Sequence, residues 1–264
     1  MRIGGQFVRG KIRRLLVPYV CVCLLWVMPI ETAVAVDAAS TAESIAIGVY
    51  PRQLWFLLML FGVFMLFYPL TDFFAKHDIA GLAAAAVLYV FGTAANHFFP
   101  NYFQIWSVCR YVLIFWIGFK LRQRDWTLPR RINPLIYIAA DIMLLLIVRA
   151  LPETSLLWDL ISSGLYMLLC SLGAVMAFFS LQWLGDRVSW KSSRSVAVLI
   201  KYSMPVYLLH QQISYLLNEL LGLTLSPYII VPLNTAFTVL VSLGLSALLL
   251  RYRVTRTMLG EKRV

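Results

Sequence analysis

Apolar residues fall in long uninterrupted blocks along this chain. They do not alternate as in strands or recur every third or fourth position as in surface helices. A membrane-crossing helix needs about 20 mostly apolar residues. Eight blocks approach that length, at roughly 15–36, 53–71, 79–99, 104–120, 133–150, 156–181, 196–218 and 227–250. The connections between them are short, and no internal repeat or low-complexity segment separates them. The pattern therefore predicts an all-α polytopic membrane helix bundle of about eight transmembrane helices, forming a single domain over residues 1–264.

The seventh block departs most from plain hydrophobicity. Residues 201–219 read KYSMPVYLLHQQISYLLNE. At 3.6 residues per turn, Ser203, Tyr207, His210, Gln211, Ser214 and Asn218 share one stripe of a helix. Pro205, Leu208, Leu209 and Leu216 lie on the other side. A polar stripe is costly in lipid, so it is expected to face other helices or a wet cavity. His210 is the first candidate for chemistry.

Composition fits this picture. The chain is 61% hydrophobic and 13% charged, whereas soluble domains have about 25% charged residues. The net charge is +11. Its distribution assigns it to topology, without a nucleic-acid partner. All of the 23 Lys and Arg residues except Arg52, Arg110 and Arg149 fall in the N-terminal segment, in alternate connections or in the tail. The positive-inside rule then puts both termini in the cytoplasm, with the basic loops against lipid headgroups. A second reading of the N-terminus is a cleavable signal peptide ending near Ala33-Val34-Ala35, which would leave seven spans. Cys21, Cys23, Cys109 and Cys170 sit in apolar runs without disulfide or metal-ligand spacing, so they read as packing residues and no metal is expected.

Other spans carry polar groups. Arg110 lies early in the fourth, Asp141 near the middle of the fifth, and Asp159, Ser163 and Tyr166 on one face of the sixth. Asn234, Thr235 and Thr238 lie in the eighth. With His210, most of these fall in the half of the membrane away from the cytoplasm and suggest a polar vestibule opening outward. Arg149 reads as a cation snorkelling to the outer headgroups. His77 and His97 read as loop residues, and Trp55, Trp106 and Trp158 as boundary aromatics.

Four segments resemble one family in order. Tyr202-Ser203-Met204-Pro205-Val206-Tyr207-Leu208-Leu209-His210 is similar to the late "S-x-x-x-Y-L-x-H" span of the acyltransferase-3 membrane family. Lys11 through Tyr19 resembles its "R-R-L-L-x-P-Y" segment, Leu54-Trp55-Phe56-Leu57 its "W-F-L" motif, and Arg110 through Phe119 its "F-x-x-G-x-x-L" segment. The likeness spans nearly the whole chain. It implies a transferase that moves an acyl group, often acetyl, from cytoplasmic acyl-CoA to a hydroxyl of an extracytoplasmic sugar or envelope polymer. No tightly bound cofactor is implied, and the expected location is a bacterial inner membrane. Under this resemblance Arg13 and Arg14 contact CoA phosphates. Tyr207, Ser203, Asp159 and Trp55 line the acceptor site, His210 acts as general base and Arg110 stabilises the oxyanion. Family members usually carry two further spans before the "R-R-L-L-x-P-Y" segment, the first with an Arg and a His central to catalysis. The chain given begins after them, as the C-terminal eight spans of a ten-span protein would, and no residue in it matches that His. Two other functions compete: a transporter or flippase for small molecules or lipid-linked sugars, and an inactive membrane scaffold.

Overall fold

Proline and glycine placement explains much of how the helices are shaped and packed. The computed structural model describes residues 2–34, 37–49, 52–124, 139, 142–143, 145–147, 156–187, 194–221 and 226–261. Among the described residues the secondary structure is helical, without strands. The chain divides into two compact units. The first comprises Met1–Met65, Asn101–Ile105 and Arg194–Val264; the second comprises Leu66–Pro100 and Trp106–Ser193.

The first unit opens with α1 (Gly4–Ala33). It begins well before the apolar block at 15, because the basic N-terminal segment continues the same helix. Two π-helical turns, Ile12–Leu16 and Cys23–Val27, interrupt it. Each ends two residues before a proline, Pro18 or Pro29. A proline has no N–H to give and its ring presses on the carbonyl four residues back. Those carbonyls belong to Arg14 and Leu25, inside the widened turns, where a π-bulge relieves the clash.

Helix α2 (Ala38–Ile47) falls in a stretch whose apolar pattern marks no span of its own. Asp37 caps it by accepting from the Ser40 N–H at 2.8 Å, and Gly48 ends it at φ +67°. A 3₁₀ turn, Arg52–Leu54, leads into α3 (Trp55–Phe67). The unit is completed by α8 (Arg194–Leu221), α9 (Pro227–Leu249) and the short α10 (Arg253–Met258). Helices α8 and α9 pack along each other. Thr238, Ser242 and Ser246, spaced four apart, are buried on α9; small side chains let membrane helices approach closely. The core joins Leu15, Tyr19, Val22, Cys23 and Val27 of α1 to Leu54, Leu57, Leu208, Leu209 and Ile213. At the C-terminus, Gly260 adopts φ +75°, and a Cβ there would stand 2.7 Å from Pro18 Cγ and 2.9 Å from the Arg14 carbonyl oxygen. The tail is thereby seated on the basic end of α1.

The second unit contains α4 (Thr71–Lys76), α5 (Asp78–Phe98), most of α6 (Ile105–Gln123) and α7 (Leu156–Arg187). Gly81, Ala85, Tyr89, Gly92 and Ala95 form the buried face of α5. A Cβ on Gly92 would stand 2.7 Å from both Cys109 Cβ and the Trp106 carbonyl oxygen, so α5 and α6 meet there backbone to backbone. Tyr89 Oη donates to the Ser163 carbonyl of α7 at 2.5 Å. Phe67 stacks on Phe74 with centroids 4.6 Å apart. Lys120 is buried near the end of α6, where its Nζ meets Asp78 Oδ1 at 2.6 Å and the Ala75 carbonyl at 3.0 Å.

Among the described residues, six stretches are long and apolar enough to cross a membrane: Gly4–Ala33, Ala38–Phe67, Asp78–Phe98, Tyr102–Gln123, Ile161–Ser180 and Pro227–Leu249. They match six of the eight expected spans in order, with Ala38–Phe67 joining α2 and α3. Most of the expected span at 133–150, including Asp141 and Arg149, lies outside the described residues. The expected span at 196–218 is α8, a helix of 28 residues whose polar side chains lower its mean hydropathy. The architecture is an all-α polytopic bundle of an integral membrane protein.

A methyl group at Gly92 has no room to enter. Gly92→Ala is expected to cost about 1–3 kcal/mol through overpacking and to lower Tm by several degrees in detergent. Gly118→Ala, whose Cβ meets nothing within 4 Å, leaves Tm unchanged.

Candidate active site

The polar stripe of α8 reaches the 3₁₀ turn that precedes α3, and Gln53 is the junction. The Gln53 N–H donates to Gln211 Oε1 at 2.8 Å, and its carbonyl accepts from Tyr207 Oη at 2.5 Å. Its side-chain Nε2 donates to the Leu208 carbonyl at 3.2 Å and to Gln212 Oε1 at 3.0 Å. Gln212 Nε2 returns a longer bond to Gln53 Oε1 at 3.4 Å. One residue thus ties together two turns of α8. Each such bond between membrane helices contributes about 0.6–2 kcal/mol.

The neighbouring residue carries the charge. Arg52 Nε donates to Glu31 Oε1 at 2.6 Å, joining the start of α3 to the end of α1. The side chains are 17% and 6% exposed, so the pair is largely desolvated. The Arg52 guanidinium also lies 4.1 Å from the centroid of the Tyr215 ring, on α8, a cation–π contact. Thr41 Oγ1, on α2, reaches Glu31 Oε2 at 3.4 Å. Arg52 has φ +48°, a left-handed conformation that non-glycine residues rarely adopt. The ion pair and ring contact hold it there.

His210 sits half-buried beside this network. Its Nδ1 lies 2.8 Å from the Tyr207 carbonyl oxygen and 3.1 Å from that of Val206. A carbonyl oxygen only accepts, so in the neutral ring Nδ1 carries the hydrogen and Nε2 keeps its lone pair. The imidazole is therefore held in the tautomer of a general base. The Tyr207 ring lies 6.0 Å from the imidazole, centroid to centroid, and Phe56 packs edge-on against Tyr207.

The structure gathers His210, Tyr207 and the residues around Trp55 in the first unit. Tyr207 spends its hydroxyl hydrogen on Gln53 and keeps oxygen lone pairs for an incoming group. Trp55 is half-buried with its ring edge-on to Phe56 at 6.2 Å. Ser203 is exposed two turns below His210 and donates to the Ile200 carbonyl of its own helix at 3.0 Å. Its hydroxyl is turned back onto α8. Arg13 and Arg14 lie in the first π-helical turn, near the opposite end of α1 from Glu31; at 1.5 Å per residue the two ends are roughly 25 Å apart. Arg14 is exposed, while one terminal nitrogen of Arg13 is buried without a hydrogen-bond partner. The two remaining candidates belong to the second unit. Arg110 of α6 is half-buried, and its Nε has no hydrogen-bond partner. Asp159 falls within α7, and its side chain lies outside the described residues.

One feature of α8 departs from the sequence pattern. Pro205, Leu208 and Leu209, opposite the polar stripe, are among its most buried residues. The stripe is thus one side of a helix enclosed on both sides. Glu31, Arg52, Gln53 and Gln212 did not stand out in the sequence. Arg52 entered there only as one of three cations outside the basic segments, and Gln212 lies off the stripe.

The family model for the acyltransferase domain of the acyltransferase-3 type matches residues 2–251, nearly the whole chain. The chain belongs to the acyltransferase-3 family. No curated protein and no solved structure matches it. Membership accounts for the motif-bearing segments, because in this acyltransferase-3 chain the "S-x-x-x-Y-L-x-H" segment supplies Tyr207 and His210, while Gln53 directly precedes the Leu54-Trp55-Phe56-Leu57 motif. The two segments meet through the Gln53 bonds.

Removing one partner of a buried ion pair strands the other charge, which costs about 3–5 kcal/mol. Glu31→Ala is expected to destabilise the protein by about 3 kcal/mol in a denaturation series in detergent. Combining it with Arg52→Met removes the stranded cation, so the double variant is expected to be more stable than Glu31→Ala alone.

Proposed function

We propose that this chain is a membrane O-acyltransferase that moves an acyl group, acetyl in the simplest case, from acyl-CoA to a hydroxyl of a sugar or envelope polymer. The observation that carries this reading is the pair of backbone carbonyl oxygens that His210 Nδ1 faces. With Nδ1 tied to backbone carbonyls, Nε2 can take the proton of an acceptor hydroxyl. The hydroxyl oxygen then attacks the thioester carbon, the carbon–sulfur bond breaks, and the thiolate leaves and is protonated as free CoA. The ester forms without a change of oxidation state. Tyr207, one turn before the imidazole, can accept a hydrogen bond from a second hydroxyl of a sugar acceptor.

The basic face supports the donor side of the reading. Arg13 and Arg14, with Arg251 and Arg253 at the start of the tail, offer cations for the phosphates of CoA, and Arg13 keeps an unspent N–H. The positive-inside rule puts that face in the cytoplasm, where acyl-CoA is made. Glu31, Arg52 and the Gln53 network then stand on the opposite side, where an envelope acceptor would be met. A bacterial inner membrane fits this division of donor and acceptor.

Transfer of labelled acetyl from acetyl-CoA to membrane acceptors, by full chain in native membranes, tests the reading. General-base assistance contributes about 10²–10⁴-fold, so His210→Ala is expected to lower transfer by at least 100-fold with insertion unchanged. Tyr207→Phe is expected to lower it severalfold. Wild-type transfer by the inserted His210→Ala chain would rule His210 out as the base.

A further inference from the structure

A second feature of the first unit lies toward its basic end. A groove runs between α1, α8, α9 and α10, with walls that include Cys21, Leu25 and Trp26 on α1, Leu209 on α8, Leu245 on α9 and Met258 on α10. Its few polar groups with hydrogens to give are largely spent inside the protein. Trp26 Nε1 donates to the Leu209 carbonyl at 3.4 Å. Thr255 Oγ1, which also lines the groove, donates to the Leu249 and Tyr252 carbonyls. Cys21 adds a thiol, a weak donor. Nothing in the groove asks for water or a polar ligand. Leu25 on its rim is 61% exposed, so the groove is open on its side. Both α1 and α9 are long and apolar enough to span a membrane, so what the open side meets is lipid.

The tail end of the groove has a different character. Residues Thr255 and Met258 belong to the short α10, which follows Arg251 and includes Arg253 and Arg256. Arg256 Nε donates to the Leu250 carbonyl at 2.6 Å, whereas Arg251 and Arg253 are exposed. Gly260 brings this segment against Arg14, which is also exposed. Three exposed arginines therefore belong to the segments that meet at the tail end of an apolar groove.

We propose that the groove binds one acyl chain of an anionic glycerophospholipid, with its phosphate headgroup on Arg251, Arg253 and Arg14. The apolar walls select a hydrocarbon chain, and the cations select negative headgroups over zwitterionic ones. The Trp26–Leu209 bond fixes two of the walls, so the groove is preformed. The site shares Arg14, Arg251 and Arg253 with the proposed contact for CoA phosphates, but it needs neither His210 nor a donor thioester, so lipid retention can hold or fail apart from acyl transfer.

Purified full chain, washed in mild detergent and titrated with phosphatidylglycerol or phosphatidylcholine, would be read by native mass spectrometry. Wild type is expected to retain one phosphatidylglycerol. Leu245→Trp, which fills the groove, is expected to lower its occupancy at least fivefold. Leu248→Trp, on a 49% exposed position of the same helix that does not line the groove, retains it. Arg251→Glu with Arg253→Glu abolishes the preference for phosphatidylglycerol. Equal retention by the two tryptophan variants would overturn the proposal. Should Leu245→Trp fail to fold, fluorescence decides in vesicles containing brominated phosphatidylglycerol or brominated phosphatidylcholine. The quenching that Trp26→Phe removes should be at least twice as large with the brominated phosphatidylglycerol. Equal quenching by the two lipids would overturn the proposal.

Discussion

Backbone polar groups inside a membrane protein must find partners within the protein, and the first unit depends on how Gln53 meets that demand. The turn before α3 leaves helical geometry, which exposes an N–H and a carbonyl that lipid cannot satisfy. Gln211 and Tyr207 take up those two groups, and the Gln53 side chain in turn reaches the Leu208 carbonyl and Gln212. The same bonds pin two turns of α8 and fix the segment that carries His210. Beside them the Arg52–Glu31 pair ties in α1, so three helices converge on one polar junction. The left-handed backbone at Arg52 is tolerated because the Glu31 carboxylate and the Tyr215 ring hold its side chain in place.

Much of this was legible in the sequence, for a clear reason. Long apolar blocks and a polar stripe are local patterns, and they announced the helical bundle, the order of the spans and His210. The boundaries were less legible. Residues 38–47 make a capped helix of their own, yet their mix of Ala, Ser, Thr and Glu resembles neither a span nor a periodic surface helix. The basic N-terminal residues extend α1 because charge at a helix end does not stop a helix. The π-helical turns become intelligible only with Pro18 and Pro29 in place.

The candidate site was half legible. His210 and Tyr207 stood out because each is polar within an apolar run. Gln53 and Arg52 did not, because they sit at a span boundary where polar residues are ordinary. Their meaning comes from partners 158 and 21 residues away, and no periodicity links such distant positions. Gln212, almost wholly buried, is missed by a single-stripe reading because α8 is enclosed on more than one side. An acyltransferase-3 chain with these features divides its surface chemically: a hydrogen-bonded junction beside His210, and an apolar groove with exposed arginines toward the tail.

The central claim is that the fold holds His210 with Nδ1–H toward the Tyr207 and Val206 carbonyls and Nε2 free to accept a proton. Nitrogen-15 spectroscopy of histidine-labelled protein in bilayers tests it most directly, because the chain has three histidines and His210→Gln assigns the signal. At a pH where the ring is neutral, the account predicts a protonated Nδ1 and an Nε2 shift typical of an unprotonated nitrogen. A neutral His210 carrying its hydrogen on Nε2 would contradict it.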